Sequence, residues 1–289
     1  MVRTKNKTKL KLYWDPVRKF NYPINNIPIN NEIDYNIDFY KINFIKEIGL
    51  GTHSIVYLGE INNKKVVVKI IKHTFTNDKI SNCEFRCELC YLARLNHDNI
   101  IKLYGYGNTP TKFIVTEYLE NGTMQDYIFK ESLKQNTIFY KIYKKIYKNK
   151  SNIENLLNTF NIGLQLARGL KHLHFDADKN SSFIHRDLKP DNIGFDINKK
   201  LKIFDFGLCT LIYKKRFDNE TFKMSGDTGS IRYMAPEVYL KKNYNESCDV
   251  YSFGIILWQI TTKKIPFQGF TRYEFEKKVV YSNFRPELN

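Results

Sequence analysis

The residues best suited to chemistry begin with GLGTHSIV at positions 49–56. In a strand-turn-strand setting, Gly49 and Gly51 let backbone amides approach phosphate oxygens with no side chain in the way. Alone the signal is weak, because Ser54 stands where a third glycine would complete GxGxxG, and a plain hairpin turn explains it as well. A strand rather than a helix follows, which argues against a dinucleotide fingerprint. Lys69, closing VVVK, is placed to reach a bound phosphate, although a lysine ending a strand is usually just solvated. Support for a phosphate site has to come from further along, where HRDLKPDN (His185–Asn192), DFG (Asp205–Gly207) and APE (Ala235–Glu237) follow in that order.

The elements that must position these residues are legible from their patterns. KINFIKEIG, SIVYLGEI and KKVVVKII are β-branched runs, and the polar INNKK between the last two suits a hairpin turn, so three antiparallel strands are predicted. Ser81 and Glu84 have capping-box spacing, which predicts a helix of about three turns through CEFRCELCYLARL. NIIKLYGYG and KFIVTEYL read as further strands. Beyond residue 120 the character is helical: Ser151 and Glu154 repeat the capping spacing before NLLNTFNIGLQLARGLKHLH, and DVYSFGIILWQI is apolar nearly all round, as a buried helix would be. The plan is a small β-rich lobe followed by a larger helical one. Residues 1–40 are polar, Asn-rich and broken by Pro16, Pro23 and Pro28, and read as an extended or loosely packed arm.

Composition narrows the classes. With 42% hydrophobic and 15% aromatic residues among 289, the chain is neither disordered nor collagen-like. No apolar run reaches the eighteen or so residues of a membrane span, and the start lacks the apolar stretch of a signal peptide, so an intracellular, cytoplasmic protein is expected. Five cysteines do not form an extracellular disulfide framework. Cys83, Cys87 and Cys90 suggest zinc only superficially, since one short helix offers no matching second pair, and a partly buried helix face is the better reading. Lys plus Arg outnumber Asp plus Glu by 46 to 30, a formal charge of +16 that invites a nucleic-acid reading until the charge is located.

Taken together in order, these motifs resemble the eukaryotic protein kinase family, serine/threonine type, closest to its tyrosine-kinase-like group, over residues 42–289. The resemblance implies an α+β bilobal fold with a small antiparallel β lobe carrying one helix, and a larger mainly helical lobe. It implies ATP and Mg2+, with Mn2+ as a substitute, and a protein substrate, because the APE segment builds a peptide-docking loop. Lys69 would contact the α- and β-phosphates and pair with a helix glutamate. Glu84 and Glu88 compete for that pairing. Glu88 is favoured because it lies nine residues before His97, the family's usual interval, and because Glu84 is assigned to the capping box. Asp187 would accept or orient the hydroxyl proton, Lys189 would neutralise the transferring group, and Asn192 and Asp205 would hold the metal. ATP would lie against Gly49, Gly51, Val56 and Val67, with Thr116 as gatekeeper and the backbone of Glu117 and Leu119 meeting adenine. Two departures occur there: Val67 replaces a small roof residue, and Gly194 replaces an apolar floor, a gap that Phe204 is placed to fill. Leu92, Leu103, His185 and Phe206 match the apolar column of active kinases, anchored by Asp249.

The resemblance also implies regulation and a boundary. Arg186 would grip a phosphate on the activation segment, with Ser225 or Thr228 the expected site and Thr221 also available. Ser230 replaces a threonine that bonds the catalytic Asp and Lys. The sequence stops after NFRPELN, where the family continues with helices and an arginine partner for Glu237, so a truncated large lobe is expected. The division is an arm at 1–40 and a kinase domain at 41–289, with the small lobe and hinge at 41–119 and the large lobe at 120–289. A catalytically silent, kinase-like binding module is the competing reading. Residues 1–20 carry seven Lys or Arg against Asp15, and residues 130–150 carry seven Lys against Glu131, so twelve of the sixteen net charges lie on the arm and on a basic insertion. These suit a solvated loop, or an acidic partner or anionic surface, rather than specific nucleic-acid binding.

Overall fold

Side-chain alternation organises the small lobe. Along β3 (Lys64–Ile71), Val66 and Val68 are buried with Ile42, Phe113 and Val115 on the outer face. Val67, Lys69 and Ile71 therefore take the opposite face, toward the larger lobe. In this computed structural model, which describes residues 35–72, 79–137, 145, 148–213 and 220–287, β3 sits centrally in a five-stranded antiparallel sheet. Its neighbours are β1 (Asn43–Leu50), β2 (Ser54–Ile61), β4 (Leu103–Gly107) and β5 (Phe113–Glu117), in the order β1-β2-β3-β5-β4. The β2–β3 turn places Asn62 and Asn63 at φ of 49° and 61°, a left-handed conformation that asparagine tolerates well.

Residues 35–40, which the sequence reading assigned to the arm, lie against this sheet. Ile37 N donates to Tyr106 O at 2.9 Å, and Phe39 packs on Phe113 with ring centroids 5.4 Å apart. The rest of the arm, 1–34, is outside the described residues, as are 138–144 and 146–147 of the basic insertion. The described flanks of that insertion are helical, because α2 (Met124–Asn136) runs into it and α3 (Lys148–Lys171) begins inside it.

Both predicted capping boxes are displaced. Ser81 is the third residue of α1 (Lys79–Leu92), and Ser151 lies inside α3. An S-x-x-E spacing is local, whereas a helix end is decided by where tertiary packing stops supporting it. Reciprocal boxes occur instead at Thr123 with Asp126, opening α2, and at Thr271 with Glu274, opening α6 (Arg272–Glu274), which continues as a π-helical turn to Tyr281.

In the larger lobe α3 passes into a π-helical turn, His172–Asp176. Two short hairpins follow, β6 (Ser181–Ile184) with β9 (Thr210–Tyr213) and β7 (Ile193–Phe195) with β8 (Leu201–Ile203). Helices α4 (Pro236–Tyr239) and α5 (Ser247–Thr262) come next. The expectation that α5 is buried all round is corrected. Asp249, Ser252, Ile256, Gln259 and Ile260 face the core, but Val250 is 53% exposed, because the helix packs along one face. Likewise Ile162, Leu166 and Leu170 of α3 are buried, whereas Ile153, Leu156, Leu157 and Phe160 are exposed. One hydrophobic cluster runs from Phe85 and Leu92 through Ile203 and Phe206 to Ile256 and joins the lobes. The fold is α+β and bilobal. No helix of the described residues is long and apolar enough to cross a membrane.

Candidate active site

The loop between β6 and β7 carries His185–Asn192 and is tied down from below by one buried carboxylate. Asp249, on α5, accepts from His185 N at 2.8 Å, from Arg186 N at 2.9 Å and from His174 Nε2 at 2.9 Å. Burial pushes this carboxyl up, yet the His174 bond and the neighbouring donors win and hold it below the usual carboxylate range. Arg186 has φ of 67°, a strained conformation for a side chain of its size, and the two amide bonds to Asp249 hold the turn in place.

Above this anchor Asp187 is buried and bracketed. Lys189 Nζ lies 2.9 Å from Asp187 Oδ2 and donates to Ser230 Oγ at 3.0 Å, while Ser230 N donates to Asp187 Oδ1 at 2.8 Å. Asn192 Nδ2 donates to the carbonyl and the carboxylate of Asp187 at 2.9 and 3.1 Å. Gly229, which motif reading did not single out, makes the approach of Ser230 possible. It has φ of 99°, and a Cβ there would stand 2.4 Å from Arg186 O and 3.3 Å from Asp187 Oδ1.

Hairpin β7–β8 then brings the DFG segment alongside, since Ile193 pairs with Ile203 and Phe204 N donates to Asn192 O at 3.0 Å. Asp205 follows, and Lys69 reaches it across the cleft, with Nζ 2.9 Å from Asp205 Oδ1 and 2.7 Å from Glu88 Oε2. Burial works against a charged Lys69, but the two carboxylates outweigh it and hold its ammonium above its ordinary value. The Lys69 ammonium in turn holds Asp205 low. The competition between the glutamates ends in a division: Glu88 takes Lys69, and Glu84 lies 3.1 Å from His53 Nδ1. His185 donates from Nε2 to Phe204 O at 3.1 Å and packs on Phe206 with centroids 5.1 Å apart, while Leu92 and Leu103 are buried in the same cluster.

Between the glycine hairpin, α1 and these loops opens a cleft of about 270 Å³ whose walls include Gly51, His53, Lys69, Glu88, Asp187 and Asp205. The donors present fit a nucleotide triphosphate with a hard cation. Asp205 is 40% exposed toward solvent, and Asn192, its amide hydrogens spent on Asp187, has its amide oxygen left for a metal. At the far end Val67 pairs in register with Thr116, which is buried, and Val56 pairs with Lys69 and Gly49. Glu117 spends its carboxylate on Lys202 at 3.1 Å and on Lys102 N at 2.7 Å, and its own amide donates to Lys102 O at 3.0 Å. The space below Gly194 is filled chiefly by Leu119, whose Cδ1 lies 2.6 Å from a Cβ built there, with Phe204 Cε1 at 3.4 Å.

In the activation segment Arg186 Nη1 donates to Ser225 Oγ at 2.7 Å, and Thr228 Oγ1 donates to that oxygen at 3.1 Å. Tyr244 OH donates to Ser225 O at 2.7 Å. Thr221 is exposed. Glu237 makes no ion pair with the other described residues, and its carbonyl accepts from Lys242 N. Sequence reasoning missed His53, Lys72, Gly229 and the His174–Asp249 contact. Only Gly229 had a visible signal, a glycine directly before Ser230.

This geometry can be set beside known proteins. The sequence is 32% identical over 259 residues to a probable serine/threonine-protein kinase of Dictyostelium discoideum, covering 88% of this chain and 25% of that protein. It is 28% identical over 265 residues to the serine/threonine-protein kinase STY46 of Arabidopsis thaliana, covering 91% and 41%. Against the serine/threonine/tyrosine-protein kinase HT1 of the same plant it is 30% identical over 260 residues, covering 88% and 59%. The chain thus spans between a quarter and three fifths of the length of these relatives. The family profile described as protein tyrosine and serine/threonine kinase matches residues 42–287, a family that uses ATP and a divalent cation. That span holds the glycine hairpin, the Lys69–Glu88–Asp205 cluster and the bracketed Asp187 alike, and the chain belongs to this kinase family.

Proposed function

We propose that this chain transfers the γ-phosphate of ATP to serine and threonine hydroxyls of protein substrates, with Mg2+, or Mn2+ in its place, held by Asn192 and Asp205. The observation that carries the reading is the bracketing of Asp187 by Lys189 and Ser230, opposite a Lys69 held by Glu88 and Asp205. Asp187 takes the hydroxyl proton as the substrate oxygen bonds the γ-phosphorus and the bond to the β–γ bridging oxygen breaks, releasing ADP. Lys189 offsets charge on the moving phosphoryl group, and Lys69 holds the phosphates that stay behind. When bound, the cation neutralises phosphate charge.

Ser225 fits as the regulatory phosphorylation site, because Arg186 already bonds its hydroxyl and a phosphate would turn that contact into a charged pair. A cytoplasmic setting suits the absence of disulfides at Cys90, Cys209 and Cys248. The charge of the arm and insertion suits an acidic partner or anionic surface. No specific observation favours the silent-module alternative, and the contacts of Lys69 with Glu88 and Asp205 and of Asn192 with Asp187 support the enzyme reading.

The test is labelled-phosphate transfer from ATP and Mg2+ to a generic protein substrate, with phosphoamino-acid analysis, beside Asp187→Asn. A loss in kcat of about 10²–10⁴-fold is expected, with label on serine and threonine. Equal rates for the two proteins would sink the assignment. A Ser225→Ala variant as active as the parent after incubation with ATP would remove Ser225 from its role.

A further inference from the structure

Glu84 and Glu88 are four residues apart on α1, so they lie one turn apart on the same face. Glu88 is accounted for by Lys69. Glu84 reaches past it to the turn of the glycine hairpin, where its Oε2 lies 3.1 Å from His53 Nδ1. A carboxylate only accepts, so Nδ1 carries the proton in this contact. The same turn is also held by Lys72, just after β3, whose Nζ donates to Gly51 O at 2.7 Å and Thr52 O at 3.0 Å, and whose amide donates to His53 O at 2.9 Å. His53 and Glu84 both stand in the wall of the cleft that Lys69 and Asp205 share.

We propose that His53 and Glu84 form a latch that holds the glycine hairpin over the phosphate end of the cleft and links hairpin closure to the position of α1, with His53 as a positioning residue for the nucleotide. The inference rests on the kinase reading above. Two physical consequences give it content. A shift of α1 away from the sheet breaks the Glu84–His53 and Glu88–Lys69 contacts together, so the hairpin loosens when the lysine is released. And Glu84 without its imidazole is a bare carboxylate facing an anionic nucleotide, so His53 also shields the phosphates from it.

The side chains of His53 and Glu84 are 29% and 37% exposed, so solvent screens the contact and the effects are small but distinctive. In the full chain, His53→Phe should raise the Kd for MgADP, read by calorimetry, and the KM for ATP by about 2- to 5-fold, with kcat changed less than about 2-fold. Glu84→Gln should have a similar or smaller effect. The double variant should be no worse than His53→Phe alone, because removing the carboxylate removes what His53 shielded. His53→Gln, which keeps an N–H donor, should recover most of the loss. Additive losses in the double variant, unchanged Kd and KM, or a fall confined to kcat would each overturn the latch. If the parent chain transfers phosphate and the variants match it, the latch alone fails. If it binds MgADP with this pattern yet transfers no phosphate, the kinase reading alone fails.

Discussion

Asp249 and Lys69 each gather oppositely polar groups from distant parts of the chain, and the two clusters differ in how much water reaches them. Asp249 and His174 are 0% and 3% exposed, and the carboxylate meets three donors. Lys69 and Asp205 are 30% and 40% exposed, and only Glu88 in that cluster is deeply buried, at 8%. In a dry, fully paired cluster, losing one member strands the others and costs several kcal/mol, so the shape it holds is fixed. In a wet one each contact is worth little and re-forms readily. Asp187 is therefore carried on a rigid support, while Lys69 across the cleft is held by contacts that water reaches.

The contrast is easiest to break at its buried end. Asp249→Ala should lower stability by about 3–5 kcal/mol, read as a large fall in Tm, because His174 and two backbone amides lose their acceptor together. A fall no greater than that of Glu84→Gln would erase the difference between the clusters. Next in size is Gly229→Ala, where φ of 99° and the 2.4 Å approach to Arg186 O should cost about 1–3 kcal/mol and move Ser230 off Asp187. Phosphate transfer should fall by more than stability does, and an equal loss in both would make Gly229 a fold residue only.

Smaller effects test the adenine end. Leu119→Ala should weaken ATP binding more than Phe204→Ala, because Leu119 lies closer to the space under Gly194. A Phe204→Ala variant with unchanged ATP affinity would show that Leu119 alone fills it. The smallest effects come from pH and salt. Asp249 and Asp205 both sit below their ordinary 3.8, so their contribution is complete above that value and is lost as pH falls through each folded pKa. Stability should therefore drop on the acid side of 3.8, and Asp249→Asn should flatten that drop. Raising salt to about 0.5 M should shift nucleotide affinity through Lys69 while leaving the Asp249 contribution unmoved.

Much of this was readable from residue order. The β-branched runs and the Asn62–Asn63 turn follow from local chemistry, because strands and hairpin turns bring neighbours in sequence together in space, while Asp187, Asn192 and Asp205 were named through the family resemblance. The errors share one cause. Ser81 and Ser151 have the spacing of helix caps but lie within helices, and Val250 belongs to an apolar helix yet faces solvent, because a local pattern does not say what packs beside it. The basic insertion read as a loop has helical flanks for the same reason.

Residue types and spacing by themselves determined a β-rich part followed by a helical one, since these patterns are local, and the ordered motifs carried the resemblance to the kinase family that matches residues 42–287, from which the phosphate-handling roles were expected. The pairing of Lys69 with Glu88 was favoured from the sequence already; only the tertiary structure decided that Glu84 turns to His53 and that Asp249 accepts from the His185 and Arg186 amides beneath Asp187. Those last two contacts join residues 31 and 63 positions apart. At such separations many partners are chemically equivalent, and it is the packing of α1, α5 and the two short hairpins that brings one of each within bonding distance.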